Sequence, residues 1–136
     1  MIFVTGATGF LGNYLLRSLA ASRQPVRALV RDPAKVNSQL HFENVEWIQG
    51  DVLDVASLES AMTGVEKIYH CAAMVSFDSS DHDTMMRVNA TGTANVVNAA
   101  LAAGVKKLLH VSSTAALGRQ PRAERIDENA VWKKNS

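Results

Sequence analysis

Five short apolar runs punctuate the chain, at residues 2–4, 26–30, 45–48, 65–69 and 108–111. Each is too short for a helix and is bounded by turn formers or charges, the pattern of a buried strand. Longer stretches of helical periodicity separate them. Leu11, Leu15 and Leu19 recur every four residues after a glycine-rich turn. Asp54 is placed to cap a short helix through Met62, with Gly64 as its stop. Ser80, with Asp83 three residues on, has the spacing of a capping box and should open the longest helix. Val88, Gly92, Val96, Ala99 and Ala103 would line one face of it, and Gly104 would end it. Residues 33–44 carry the weakest pattern and allow a short helix.

Strand–helix alternation repeated four times implies parallel strands joined by helical crossovers. Right-handed crossovers place helices on both faces of the sheet. The expected fold class is α/β: a doubly wound parallel sheet of about five strands in three layers. A ligand should sit at the carboxyl ends of the strands, where the winding reverses. Residues 1–114 would form this domain. Residues 115–136 carry Arg119, Arg122, Glu124, Arg125, Asp127, Glu128, Lys133 and Lys134 with little apolar periodicity, and read as a loop or extension.

Composition narrows the function classes. With 136 residues the chain is one domain or part of one. Fourteen Lys and Arg against thirteen Asp and Glu leave a net charge of +1, which gives no support for a nucleic-acid or acidic-membrane partner. Cys71 is the only cysteine, so an internal disulfide and a multi-cysteine metal cage are excluded. No apolar run approaches the ~18–20 residues that span a bilayer. With no basic leader ahead of the first apolar run, a cytoplasmic location is expected.

The chemistry concentrates in Thr5-Gly6-Ala7-Thr8-Gly9-Phe10-Leu11-Gly12. A glycine string of this kind is informative when it follows a strand and opens a helix, as here. Gly6 permits the tight turn, Gly9 lets backbone approach a pyrophosphate, and Gly12 lets the helix pack on the strand. Free N–H groups and the positive end of the helix dipole would then meet phosphate charge. The second strand ends in Arg31, whose guanidinium suits a 2′-phosphate. This favours NADP as cofactor, while Asp32 next door keeps NAD open and Arg31 could be a solvated loop residue. Asp51, after the third strand, could accept from an adenine amino group or serve as a turn or capping residue. His70-Cys71-Ala72-Ala73 follows the fourth strand, and its small side chains would let a flat cofactor lie on the backbone. Cys71 reads as a small buried hydrophobe and His70 as a packed, satisfied histidine.

Together these residues resemble the extended short-chain dehydrogenase/reductase superfamily, with its Rossmann fold. The fit is to the dihydroflavonol-reductase-like and nucleotide-sugar-epimerase-like members of the NAD-dependent epimerase/dehydratase family. The glycine turn, Arg31-Asp32-Pro33, Gly50-Asp51-Val52 and His70-Cys71-Ala72-Ala73 carry the resemblance. So do Asn89-Ala90-Thr91-Gly92-Thr93-Ala94-Asn95 and Val111-Ser112-Ser113-Thr114. The resemblance implies that Gly6, Gly9, Phe10, Leu11 and Gly12 contact the pyrophosphate and that Arg31 pairs with the 2′-phosphate. Asp51 and Val52 would hold adenine, and Ala72 and Ala73 would line the nicotinamide side. Ser113 would orient a substrate carbonyl, with Ser112 and Thr114 as competitors. Asn89 would serve helix packing or a local hydrogen bond.

The superfamily's proton donor is a Tyr with a Lys four residues later, downstream of that Ser. Tyr14 and Tyr69 are the only tyrosines and both precede Ser113. The expectation is therefore the N-terminal part of a longer NADP-dependent oxidoreductase acting on a small-molecule carbonyl or alcohol, with little turnover from these residues alone. A non-catalytic NADP-binding sensor and a nucleotide-sugar epimerase or dehydratase are the alternatives. The resemblance also suggests homodimers built on the long helices.

Overall fold

The computed structural model describes residues 1–118 and 126–130. Five parallel strands form one sheet: β1 (Ile2–Thr5), β2 (Val26–Val30), β3 (Val45–Gln49), β4 (Lys67–His70) and β5 (Lys107–His110), in the order β3-β2-β1-β4-β5. The register is continuous across it: Phe3 pairs with Arg27 and with Ile68, and Ile68 pairs with Leu108. The strands fall within one or two residues of the apolar runs, because strands covered on both faces are apolar nearly throughout.

Side chains alternate between two cores. Ile2 and Val4 of β1 pack with Leu16 of helix α1 (Phe10–Ala21), Val26, Ala28 and Leu40. Phe3 packs on the other face with Leu58 and Ala61 of α2 (Val55–Ala61) and Val96, Ala99 and Ala100 of α4 (Gly92–Ala102). Helices thus cover both faces, giving three layers. Arg27 reaches from β2 to the C-terminal end of α2. It donates to the carbonyls of Ala61 at 2.6 Å and Thr63 at 3.0 Å, and pairs with Glu46 at 2.9 Å. A cation at the negative end of a helix is satisfied there.

Local signals succeeded where they were self-contained. The Asp54 carboxylate caps α2, accepting from Ala56 and Ser57 N–H, and Gly64 adopts a left-handed φ of 74° beyond it. The leucine stripe on α1 needs correction. Gly12 and Leu16 are its buried residues, Leu15 and Leu19 pack partly, and Leu11 is exposed. A spacing of four advances about 40° too far per step on a 3.6-residue turn, so residues 11 and 19 cannot share a narrow face.

The capping box at Ser80 is not formed. Asp78 caps a 3₁₀ turn (Ser79–Asp81), and Ser80 donates its N–H and hydroxyl to that carboxylate. Helix α3 (His82–Met86) follows and passes through a π turn (Arg87–Thr91) into α4. Gly92, Val96 and Ala99 face the core as expected, but Ala103 lies past the helix end and is exposed. Residues 33–44 hold two 3₁₀ turns, Pro33–Lys35 and Ser38–Leu40. The supposed extension begins with a further 3₁₀ turn (Thr114–Leu117) that straddles the 114/115 boundary. Of its charged residues, Arg119, Arg122, Glu124, Arg125, Lys133 and Lys134 lie outside the described residues. No helix among the described residues is long and apolar enough to cross a membrane.

Candidate functional site

The chain winds outward from β1 to β3, then returns to place β4 on the other side of β1. That reversal opens a cleft of about 550 Å³ at the carboxyl ends of the strands. Thr5 and Gly6 leave β1 into it, Val30 and Arg31 leave β2, Gly50 and Asp51 leave β3, and Cys71 and Ala72 leave β4.

The glycine turn forms the floor. Gly6 has φ 70°, and a Cβ there would lie 2.6 Å from the Ala72 nitrogen, so the turn rests directly on the backbone leaving β4. A side chain would be both strained and obstructed. A Cβ on Gly12 would run into the Gly6 carbonyl, which explains how closely the first turn of α1 is drawn under the loop. The Gly9 N–H is spent on the Gly6 carbonyl at 3.0 Å, and the first intrahelical bond runs from Asn13 N–H to Gly9 at 2.9 Å. No side chain caps α1, and its first turn contains no acidic residue. A helix start with free donors and no competing carboxylate is a ready anion site.

Gly6, Gly9, Arg31, Asp51, Val52, Ala72 and Ala73 line the cleft. Phe10, Leu11, Gly12 and Ser113 do not. The Phe10 ring is 86% exposed and packs edge-on against Tyr14, Leu11 is half exposed, and Gly12 is buried beneath the turn. Only the backbone of these three belongs to the helix start, so a pyrophosphate role for them is a main-chain role. Ser113 lies beyond the β5 ladder, is exposed, and accepts from Ala115 N–H at 3.2 Å as the cap of its 3₁₀ turn. Strand alternation therefore cannot choose between Ser112 and Ser113, since both lie past the last ladder pair.

At the β2 end the two charged neighbours divide. Asp32 accepts from Ala34 N–H at 3.1 Å and caps the Pro33–Lys35 turn, outside the cleft lining. Arg31 stands exposed at the rim, with no ion-pair partner among the described residues. At the β3 end Asp51 is both a turn residue and a cleft residue. One carboxylate oxygen accepts from Leu53 N–H at 2.9 Å, which leaves the other for a ligand. Val52 is buried, and its carbonyl accepts from Asn95 of α4 at 3.0 Å.

His70 is the buried hub behind the floor. Its Nδ1 lies 2.6 Å from the Thr5 hydroxyl and its Nε2 2.9 Å from the Thr93 hydroxyl. Thr5 also accepts from Ala72 N–H at 3.2 Å. Among the described residues its hydroxyl has no other acceptor, so it donates to Nδ1 and the imidazole carries its proton on Nε2. Burial, and secondarily the His110 ring stacked 5.3 Å away, lower the His70 pKa to about 4. Cys71 is only partly buried and lines the cleft, so it is not the buried hydrophobe expected of it; desolvation raises its thiol pKa.

Thr8, Met74, Thr84 and Val88 also line the cleft and had no assigned place there. Thr8 lies inside the glycine motif, and Thr84 and Val88 are one helical turn apart, a spacing that could have been read. Met74 had no signal of its own. It is fixed by Asn89, whose amide accepts from the Met74 N–H and donates to its carbonyl, each at 2.8 Å. Asn89 can do this because the π turn carries it.

The NAD dependent epimerase/dehydratase family matches residues 2–136. The chain belongs to that family. It is 41% identical over 119 residues to sterol demethylase protein B of Methylococcus capsulatus, covering 88% of this chain and 36% of that protein. It is 34% identical over 128 residues to cinnamoyl-CoA reductase 1 of Oryza sativa, covering 89% and 36%. A solved short-chain dehydrogenase/reductase superfamily protein from Agrobacterium tumefaciens, with bound NAD, superposes with a TM-score of 0.84 at 29% identity, covering 100% of this chain and 40% of that one. The chain thus spans little more than a third of the length of these curated relatives. Within the family the matches include proteins named as reductases and as epimerases.

Proposed function

We propose that the cleft binds NADP and that the complete enzyme moves a hydride between its nicotinamide and the carbonyl or alcohol carbon of a small molecule. The uncapped start of α1, drawn beneath a glycine turn that no Cβ could enter, carries the reading. The residues fit the cofactor. The main-chain N–H groups at the start of α1 would hold the pyrophosphate, and Arg31 at the rim would pair with a 2′-phosphate. Asp51 would accept from the adenine amino group, Val52 would pack on the ring, and Ala72 and Ala73 would border the nicotinamide. The nicotinamide supplies the hydride chemistry when bound. Ser113 would donate to the substrate carbonyl once its hydroxyl turns from the Ala115 N–H.

The proton donor is not among these residues, because no tyrosine follows Ser113. The 136-residue chain would therefore bind nucleotide while reducing aldehydes or ketones little. Dimerisation through the long helices and a cytoplasmic location belong to the same proposal. Heat denaturation with each nucleotide tests it. A ligand at ~100 times its Kd adds about 2.7 kcal/mol. NADPH should raise the midpoint more than NADH, and the Arg31→Asp variant should lose that preference. No shift from either nucleotide would overturn the reading.

A second reading is NAD-linked sugar chemistry. A solved UDP-glucose 4-epimerase complex with NAD from Thermus thermophilus supports it, at 28% identity and a TM-score of 0.82. Equal stabilisation by NAD and NADP would favour this alternative.

A further inference from the structure

We infer that Asn95, on α4 and outside the cleft lining, is a positioning residue that sets how the Asp51 carboxylate meets adenine. This rests on the proposed nucleotide reading of the cleft. The turn at residues 51–53 links the end of β3 to α2 and holds both adenine candidates. Inside the turn, Asp51 accepts from Leu53 N–H at 2.9 Å, and its own N–H donates to the Ser57 hydroxyl of α2 at 3.2 Å. The first bond is internal to the turn, and the second ties it to the helix that follows it. α4 holds the turn from a distant part of the chain.

Two α4 residues grip the same loop residue. Asn95 donates its side-chain amide to the Val52 carbonyl at 3.0 Å. A carbonyl only accepts, so the amide nitrogen must face it. Three residues earlier on the same helical face, Gly92 lies so close that a Cβ there would approach the Val52 methyl Cγ2 to 2.7 Å. One residue later, Val96 is fully buried in the core, so the helix that provides the grip does not move freely. Val52 is thereby held by its carbonyl and by its side chain. The Asp51 carboxylate, one residue away, takes its place from that hold. α4 reaches the adenine side of the cleft only through Val52, and through it sets the geometry of Asp51.

The test asks for discrimination as well as affinity. Deamino-NADP⁺ replaces the adenine 6-amino group with an oxygen and cannot donate to Asp51 there. Calorimetric titration of the 136-residue chain should show NADP⁺ binding about tenfold tighter than deamino-NADP⁺, the effect of one such hydrogen bond. In Asn95→Ala the ratio should fall to about two or less, while the Kd for deamino-NADP⁺ stays near its original value. Asn95→Leu, which keeps the side-chain volume beside Val52, should do the same and serves if the alanine variant fails to fold. A ratio unchanged in the folded variants, or both affinities falling together, overturns the positioning role, since a purely structural defect would weaken both ligands alike. An original chain that binds both nucleotides equally removes the Asp51 contact and this inference with it. One that binds neither overturns the cofactor reading itself.

Discussion

The two ends of the cleft are built on different principles. At the β2–β3 end, the two carboxylates are held by hydrogen bonds. Asp32 is committed to a cap outside the cleft lining and Asp51 to a turn that α4 grips through Asn95, while Arg31 stands at the rim with no ion-pair partner among the described residues. At the β4–β5 end, Ala72 and Ala73 lie on a segment held at Ala72 by the Thr5 hydroxyl and at Met74 by the Asn89 side chain, and Ser113 is an exposed cap on a short turn. The first end offers the proposed nucleotide a fixed carboxylate and an exposed guanidinium within the described residues. The second offers a backbone shelf and a hydroxyl in another bond. Recognition of a nucleotide needs fixed donors and acceptors, which strand ends and nearby helices supply. Chemistry needs groups that converge on one atom, and those come from distant points of a chain.

Both ends share the glycine floor, so the largest effect should come from breaking it. Gly12→Ala would drive a methyl into the Gly6 carbonyl, and Gly6→Ala would add strain at φ 70° and a clash with the β4 exit. Each should destabilise the fold by about 3 kcal/mol or more, in the range of overpacking plus backbone strain. Each should also abolish stabilisation by NADPH. Denaturant titration with and without nucleotide reads both. A variant that kept full stability and full binding would mean the floor is looser than its contacts indicate.

The β4 end should be the acid-sensitive one, through His70. Its folded pKa of about 4 lies below the roughly 6.5 of an exposed imidazole, so the unfolded chain takes the proton first. Stability from this group is complete above pH 6.5 and is lost as the pH falls toward 4, by about 3 kcal/mol at most. Protonation would also turn Nδ1 from acceptor to donor and set it against the Thr5 hydroxyl proton. A His70→Asn variant should start less stable and show a flatter decline over that window. An unchanged pH slope in the variant would show that another group carries the acid sensitivity.

At the opposite end, Arg31→Asp should leave stability within about 0.5 kcal/mol, because the side chain is exposed and unpaired among the described residues. Its expected effect is confined to ligand choice, lowering NADPH affinity at least tenfold with little change for NADH. An equal loss for both nucleotides would place Arg31 on something they share and not on a 2′-phosphate.

The sheet was legible because buried parallel strands are apolar runs, and the Asp54 cap because its partners lie two and three residues away. The region from Ser80 to Thr91 was not. There a carboxylate two residues earlier captured Ser80, and Asn89 bonds to a backbone fifteen positions away within a π turn. Neither leaves a period in the sequence. In the cleft, Arg31, Asp51, Ala72 and Ala73 at the strand ends line the opening, whereas Phe10 and Leu11, named through the likeness of the glycine turn, do not. Asn95 shows the same limit from the other side. Its partner is a main-chain carbonyl 43 positions away, and no side-chain pattern announces such a bond.

The smallest effect should be at Ser113, and it separates the two ends most cleanly. Its hydroxyl caps an exposed four-residue turn with one bond of 3.2 Å. Ser113→Ala removes that bond where water can replace it, so the cost should be about 0.5 kcal/mol, at the low end for a cap. Ser113 does not line the cleft, so NADPH affinity should stay within a factor of two. Thermal midpoints with and without NADPH measure both quantities on one sample. A Ser113→Ala chain that lost a large part of its NADPH stabilisation would mean the hydroxyl reaches the cofactor, and the β5 end would then belong to binding as much as the β3 end does.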